Sequence, residues 1–238
     1  MQIQNSVVLV TGAAGGLGQI FIRSLLARGA SKVYAAVRPE DPAVDWPANV
    51  VPLMLDITNA AQVAAAAAVA TDVTILINNA GLNLNQRLLG ADMPNAAFDE
   101  MNVNYFGTLA MCRAFAPALI AGQGAVINVL SVLARVSLPA MGSLCASKAA
   151  GLRLTDALRA ELAEHRVKVL GVLPGVIDTA MGAGFPGPKA SPQAVIDTVL
   201  DALEQGADEV YPDSMALDVA QRLASERDAV KAQFAAFL

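Results

Sequence analysis

Two sets of residues in this chain of 238 have types and spacing that could do chemistry. The first is the run Thr11-Gly12-Ala13-Ala14-Gly15-Gly16-Leu17-Gly18, which follows an apolar β-like stretch, Val7 to Val10. It opens a helix-like one in which Ile20, Phe21, Leu25 and Leu26 share a face. In that setting Gly12 makes the tight turn, Gly16 lets backbone approach a pyrophosphate, and Gly18 lets helix and strand pack closely. The residues from Gly16 through Leu17 to Gly18 then turn unpaired helix N–H groups toward phosphate. A flexible connecting loop is the alternative; the strand before and the helix after favour a dinucleotide site. About twenty residues further on the second strand ends in Val37 and Arg38. A carboxylate at that place would hold the ribose 2′-hydroxyl of NAD, whereas an arginine can take the 2′-phosphate of NADP in bidentate fashion. Arg38 therefore points to NADP(H). NAD stays open as the alternative, because Glu40 and Asp41 follow just past the strand end and Arg38 could be a solvated charge.

The second set is spread along the chain. At residues 78–81 the fourth strand runs into Asn78-Asn79-Ala80-Gly81, and the joint pattern of this turn and the glycine-rich one resembles the short-chain dehydrogenase/reductase family. Further matches are Asp56 and Ile57 in LDIT, Asn104 in MNVNYFG, Ser131 after VINVL, Lys148 in SLCASKAA, and Pro174-Gly175 with Thr179 in LPGVIDT. The resemblance covers nearly the full length. It implies that Asp56 and Ile57 border the adenine, that Asn79, Ala80 and Gly81 line the adenosine side, and that Pro174, Gly175 and Thr179 embrace the nicotinamide. Taken one at a time, Asp56 could cap a strand end, Asn78 and Asn79 could be turn formers, and Thr179 could start a loop.

The resemblance also implies a catalytic group of Asn, Ser, Tyr and Lys, with Tyr and Lys four apart on one helix and hence on one face. A phenol of pKa near 10 becomes a useful acid or base at neutral pH only beside an ammonium that stabilises its anion. Asn104, Ser131 and Lys148 occupy the matching positions, but the residue four before Lys148 is Leu144. Leucine donates no proton, and losing a positioned general acid costs about 10²- to 10⁴-fold in rate. Ser143 and Cys145 are adjacent but point about 100° away around the helix. Tyr105 reads as packing and Tyr211 has no definite place, which leaves Lys148 or a water that it polarises. In the family this lysine also bonds the nicotinamide ribose, so cofactor binding is expected to survive Leu144. The alternatives are an exposed helix charge for Lys148 and a strand-end cap for Ser131.

These residues need a frame, and the sequence supplies an α/β pattern: a doubly wound, Rossmann-type parallel sheet of seven strands with helices on both faces, in a single domain spanning residues 1–238. The expected strands are Val7 to Val10, Lys32 to Val37, Val50 to Leu55, Val73 to Ile77, Ala125 to Val129, Lys168 to Leu173 and Glu209 to Tyr211. Helices are expected at Leu17 to Arg28, Asn59 to Val69, Asn95 to Ile120, Ser143 to His165 and Pro192 to Gln205, with a last one from about Met215 to the C-terminus. Gly29 after the first helix and Ser191-Pro192 before the fifth are boundary signals. Residues 38–49, with Pro39, Pro42 and Pro47, read as a surface connection.

Composition narrows the function further. No stretch reaches the roughly 18 uninterrupted apolar residues of a membrane span, and Met1 to Ser6 lack the marks of a secretory signal, so a cytoplasmic protein with no membrane partner is expected. Cys112, Cys145 and the single His165 lack metal-ligand spacing. A net charge of −5 without a basic cluster offers no footprint for nucleic acid. The ligand is then small. Leu138, Met141, Leu144 and Phe185 would line an apolar pocket under a short lid holding Met181, Pro186 and Pro188, which suits an apolar carbonyl or alcohol. The long helices at residues 95–120 and 143–165 predict a homodimer or homotetramer. The expected function is an NADP(H)-dependent oxidoreductase with an atypical proton-transfer site; a non-catalytic dinucleotide-binding sensor, scaffold or partner subunit is the alternative.

Overall fold

The computed structural model describes residues 1–90 and 92–237. Strands β1 (Val7–Val10), β2 (Lys32–Val37), β3 (Val50–Met54), β4 (Ile75–Asn78), β5 (Ala125–Val129), β6 (Lys168–Val172) and β7 (Glu209–Val210) form one sheet in the order β3-β2-β1-β4-β5-β6-β7. Every pairing is parallel. The strands are nearly continuous in apolar residues because both sheet faces are covered. Val8 and Val10 pack into the layer of α1 (Gly16–Ala27), with Phe21, Ile22 and Leu25. Leu9, between them, points into the opposite layer, where α2 (Ala60–Val69) contributes Val63. The chain leaves β1 toward β2 on one side and returns to β4 on the other. The glycine-rich turn therefore stands at the carboxyl end of β1, at the switch point where open α/β sheets form a crevice.

The strand boundaries differ from expectation by one or two residues. Leu55, Val73, Leu173 and Tyr211 fall outside their strands, although Leu55 N–H and Leu173 N–H still bond Val37 O and Val210 O across the sheet edge. Asn78 instead extends β4, paired in register with Asn128. Two helical expectations are corrected. The stretch read as one helix from Asn95 to Ile120 is α3 (Ala96–Met101), a π-helical turn (Asn102–Gly107) and α4 (Thr108–Ala121). A widened turn adds a residue without changing the apolar spacing on either side, so periodicity does not mark it. Next comes α5 (Gly142–Leu162), which passes through a 3₁₀ turn (Ala163–His165) to Arg166 in left-handed conformation, φ 60°. After α6 (Pro192–Gln205), capped by Ser191 as expected, the last stretch is two helices, α7 (Ser214–Ser225) and α8 (Arg227–Ala235), broken at Glu226. The expected end of that helix at Leu238 lies outside the described residues. Among the described residues no helix is long and apolar enough to cross a membrane.

Candidate active site

The glycine-rich turn is shaped by contacts that leave little choice of residue. Gly12 has φ 63°, and a β-carbon there would lie 3.0 Å from Ala80 Cα. At Gly18 a β-carbon would fall 2.3 Å from Gly12 O and 2.7 Å from Ala13 Cα, so α1 can approach β1 only with glycine at this position. Gly15 caps α1 without a side-chain bond, and the first helical N–H groups, from Gly16 through Leu17 to Gly18, have no intrahelical acceptor. Leu17 packs its side chain against the core. Thr179 leans over the turn, 3.5 Å from where a side chain on Gly16 would begin. These positions form a cradle that fits a pyrophosphate, with backbone donors along one wall and no side chain in the way.

The second turn is clamped to the first. Asn79 Nδ2 donates to Thr11 O at 2.9 Å and Gly12 O at 3.2 Å. The Thr11 hydroxyl accepts the N–H groups of Asn79 and Ala80, each at 3.0 Å. The sequence reading missed Thr11 as a site residue, although its place at the strand end beside Gly12 was a usable signal. Asp56 follows β3 and takes Thr58 N–H (2.8 Å) and Thr58 Oγ1 (2.7 Å) on Oδ1, so it does form a local turn. Its Oδ2 has no protein hydrogen bond among the described residues and stays free for a ligand. The Ile57 side chain is buried against Gly107.

Glu40 and Asp41 lie past the end of β2, as expected, but both engage Arg38. The chain turns back at Arg38, and Asp41 accepts Arg38 N–H at 2.8 Å and the guanidinium at 2.8 and 3.2 Å. Glu40 stands 3.3 Å from the same guanidinium. Arg38 holds the Asp41 carboxyl below the usual carboxylate range against the opposing effect of burial. The arginine side chain is 51% exposed and Asp41 only 15%, so the guanidinium reaches solvent from an anchored base.

On the other side of the switch point, Lys148 is no exposed helix charge. It turns inward from α5, and Nζ donates to Val129 O, the last carbonyl of β5, at 3.0 Å. Burial pulls its ammonium down to about 8, against the attraction of the Glu100 carboxylate. A side chain on Gly81 would begin 3.4 Å from Lys148 Nζ and 3.3 Å from Asn104 Oδ1, so only glycine leaves that space open. Asn104 sits inside the π-helical turn, accepts Leu82 N–H (2.8 Å), and donates to Leu82 O and to Ser147 Oγ, both at 2.9 Å. Ser131 begins a 3₁₀ turn (Val132–Ala134) and its Oγ accepts Leu133 N–H at 3.1 Å, so it is a cap; its hydroxyl proton is still available. Val132 N–H bonds Pro174 O at 2.8 Å, which joins Ser131 to the Pro174-Gly175 segment at the ends of β5 and β6.

One turn before Lys148, Leu144 is buried at 6% exposure. Neither phenol weighed from sequence takes its place. The ring of Tyr105 packs edge-on to Phe106, and the Tyr211 hydroxyl bonds Glu209 at 3.2 Å. Burial pushes the thiol of Cys145 up, and that sulfur is occupied by Leu138 N–H at 3.2 Å. The Cys112 thiol is pushed up to about 12 by burial.

Two further residues escaped the sequence reading. Asp213 accepts Gly175 N–H at 2.8 Å with one oxygen and caps α7 through Ala216 N–H at 2.9 Å with the other. Beside it lies a cavity of about 260 Å³, lined by Val176, Pro188, Lys189, Ala190, Asp213, Ser214 and Met215. This is a different set from the expected pocket of Leu138, Met141, Leu144 and Phe185. Glu100, on α3, is fully buried and bonds Leu84 N–H at 2.6 Å.

A family model described as short chain dehydrogenase matches residues 6–187. The chain is 33% identical over 201 residues to Dehydrogenase/reductase SDR family protein 7-like of Drosophila melanogaster, covering 76% of this chain and 60% of that protein. It is 31% identical over 215 residues to Dehydrogenase/reductase SDR family member 7B of Bos taurus, covering 82% and 65%. The chain thus spans under two thirds of the length of either relative. Among solved structures, a short chain dehydrogenase from Burkholderia cenocepacia in complex with NADP superposes with a TM-score of 0.95 at 57% identity, covering 98% of this chain and 99% of that one.

Proposed function

Because the chain belongs to the short-chain dehydrogenase/reductase family, we propose that it is an NADP(H)-dependent oxidoreductase acting on an apolar carbonyl/hydroxyl pair, with Lys148 in place of a tyrosine at the proton-transfer step. The observation that carries this reading is the inward Lys148 ammonium, which bonds Val129 O and, like Asn104, borders the open space at Gly81. Similarity over nearly the whole chain to the Burkholderia structure with NADP supports the choice of cofactor, as does Arg38, whose exposed guanidinium can exchange the Asp41 carboxylate for a 2′-phosphate.

The residues divide the work as follows. Gly12, Gly16, Leu17 and Gly18 take the pyrophosphate on backbone N–H groups, Asp56 and Ile57 border the adenine, and Asn79, Ala80 and Gly81 border the adenosine side. Pro174, Gly175 and Thr179 close over the nicotinamide. The dinucleotide, when bound, supplies or accepts the hydride. Ser131 donates its free hydroxyl proton in a hydrogen bond to the substrate oxygen. In reduction the Lys148 ammonium gives that oxygen a proton as the carbonyl π pair becomes an alcohol O–H bond; the amine left behind takes its proton back from water. In oxidation the amine accepts the proton. An ammonium near 8 suits this exchange better than an ordinary lysine near 10.5. The exposed rings of Phe98 and Phe106 along residues 96–121 suit a homodimer or homotetramer.

The buried Leu144 favours a second reading, a dinucleotide-binding protein without turnover. Fluorescence titration with NADPH and NADH, followed by a screen of apolar ketones and alcohols against the protein and Leu144→Tyr, separates the two. Turnover by the unaltered protein that Lys148→Met abolishes is the expected result. Turnover in Leu144→Tyr alone would support the second reading, and absence of binding by either cofactor would reject both.

A further inference from the structure

Past Gly175 the chain enters a loop whose two ends are tied together: Ala190 N–H bonds Val176 O at 2.8 Å, and Asp178 N–H bonds Ala190 O at 3.0 Å. The cavity of about 260 Å³ lies between this tied base and the start of α7. It adjoins the proposed reacting groups on two sides. Asp213 and Met215 pack on Gly175, where a β-carbon would stand 2.8 Å from Asp213 Oδ1 and 3.0 Å from Met215 Sδ. Ala216, the next residue of α7, is buried in one apolar cluster with Val132, which follows Ser131. The charged groups of the cavity wall are already partnered within the protein. Asp213 spends both oxygens on the N–H groups of Gly175 and Ala216, and Lys189 Nζ donates to Ala183 O at 3.2 Å. What the walls offer a ligand is the apolar surface of Val176, Ala190 and Met215, with Pro188 and Ser214 exposed at the opening. A dry apolar cavity of about 150 Å³ takes one benzene ring. At about 260 Å³ this one has room for a ring and a short substituent.

We propose that this cavity is the pocket for the substrate's apolar arm: it takes a ring-sized group carried beside the reacting carbon, as in an aryl ketone or its alcohol, and Met215 and Ala190 set the size admitted. The inference deepens the reading of the chain as an oxidoreductase of apolar carbonyls and rests on it. Val132 N–H bonds Pro174 O at 2.8 Å, so a ketone whose oxygen meets the Ser131 hydroxyl has Gly175 and Val176 next along the wall, and its arm runs on into the cavity. An arm ending in a carboxylate is disfavoured, because the Asp213 carboxylate lines the same space. Met215 is the adaptable wall, an unbranched thioether. Ala190 is the fixed one, its backbone held on both its N–H and its carbonyl at the loop base.

The test reads binding before turnover. Acetophenone, 2-acetylnaphthalene and the ringless 2-butanone are titrated by saturation-transfer NMR into the full chain, alone and with NADP⁺, which cannot reduce them. Acetophenone is expected to bind about tenfold tighter than 2-butanone. Ala190→Leu, which fills the space, should shrink that preference about tenfold, and Met215→Ala, which widens it, should raise 2-acetylnaphthalene over acetophenone about tenfold. If one variant does not fold, the other decides by its own shift. Preferences that stay in place in the folded variants overturn the proposal. Once NADP⁺ is bound, a nuclear Overhauser contact between the acetophenone methyl and the nicotinamide ring is expected; acetophenone held without that contact marks a cavity apart from the site and also overturns it. Reduction assays with NADPH keep this pocket distinct from the reading beneath it. Ring preference that follows Ala190 and Met215 without turnover leaves the pocket standing and removes the oxidoreductase reading. Turnover of acetophenone with a preference that neither variant moves removes the pocket alone.

Discussion

The two walls of the crevice are built on different principles. At the glycine-rich turn, backbone geometry dictates residue identity: a β-carbon on Gly18 would overlap Gly12 O, and Gly12 must take a positive φ against Ala80. On α5, geometry fixes a frame and leaves the reactive atom open to change. Lys148 bonds Val129 O, Asn104 bonds Ser147, Ser131 caps its 3₁₀ turn, and Leu144 is buried one turn before Lys148, where the proposed mechanism lacks a phenol. Val129 O accepts from the Lys148 ammonium with Leu144 in place. The proposed cofactor-binding and proton-transfer roles thereby fall largely on different residues.

Substitutions on each wall should therefore fail differently. Leu144→Tyr is expected to have the largest effect, raising carbonyl reduction in steady-state assays by about 10²- to 10⁴-fold with NADPH affinity unchanged; equal turnover would show that the site needs no phenol. Gly18→Ala is expected to weaken NADPH binding by at least about 100-fold in fluorescence titration, equivalent to about 2.7 kcal/mol, because α1 must shift to admit the methyl. Lys148→Met should weaken NADPH about tenfold or more through the lost charged hydrogen bonds.

Lys148 also gives a pH signature in stability. Its folded value, near 8, lies below its ordinary 10.5, so between those values the unfolded chain binds more protons and stability rises with pH. Thermal melts across that window should show this rise in the unaltered protein and a smaller one in Lys148→Met. Equal slopes would mean the ammonium is not buried. Arg38→Ala is expected to cost NADPH about tenfold and leave NADH unchanged, as loss of a bidentate charged contact requires. Asp41→Asn should favour NADPH slightly by releasing the guanidinium. The smallest effect is on stability: Asp213→Ala should cost about 1 kcal/mol as a lost helix cap, measured by denaturant unfolding.

Much of the frame was legible because a parallel sheet covered on both faces writes each strand as a short apolar run, and six of the seven strands begin where expected. The turn was legible for the same reason that it is constrained, since positive φ and close packing leave only glycine. What escaped depends on contacts distant in sequence. The π-helical turn around Asn104 preserves the apolar spacing of its neighbours. Glu100, beside exposed Asp99, looks like a surface acid until Leu84 and α5 are brought against it. Asp213 before Ser214 is a cap signal, but its bond to Gly175 joins segments 38 residues apart. Arg38 and Asp41 were both noticed, yet their mutual bond depends on the chain turning back after β2.

The most direct test of the account is equilibrium titration of the unaltered protein with NADPH, followed by nicotinamide fluorescence, with NADH in parallel. Saturable binding at one site per chain, tighter for NADPH than for NADH, is the predicted result. Failure of both dinucleotides to bind would contradict the claim that this crevice keeps its cofactor site in the presence of Leu144.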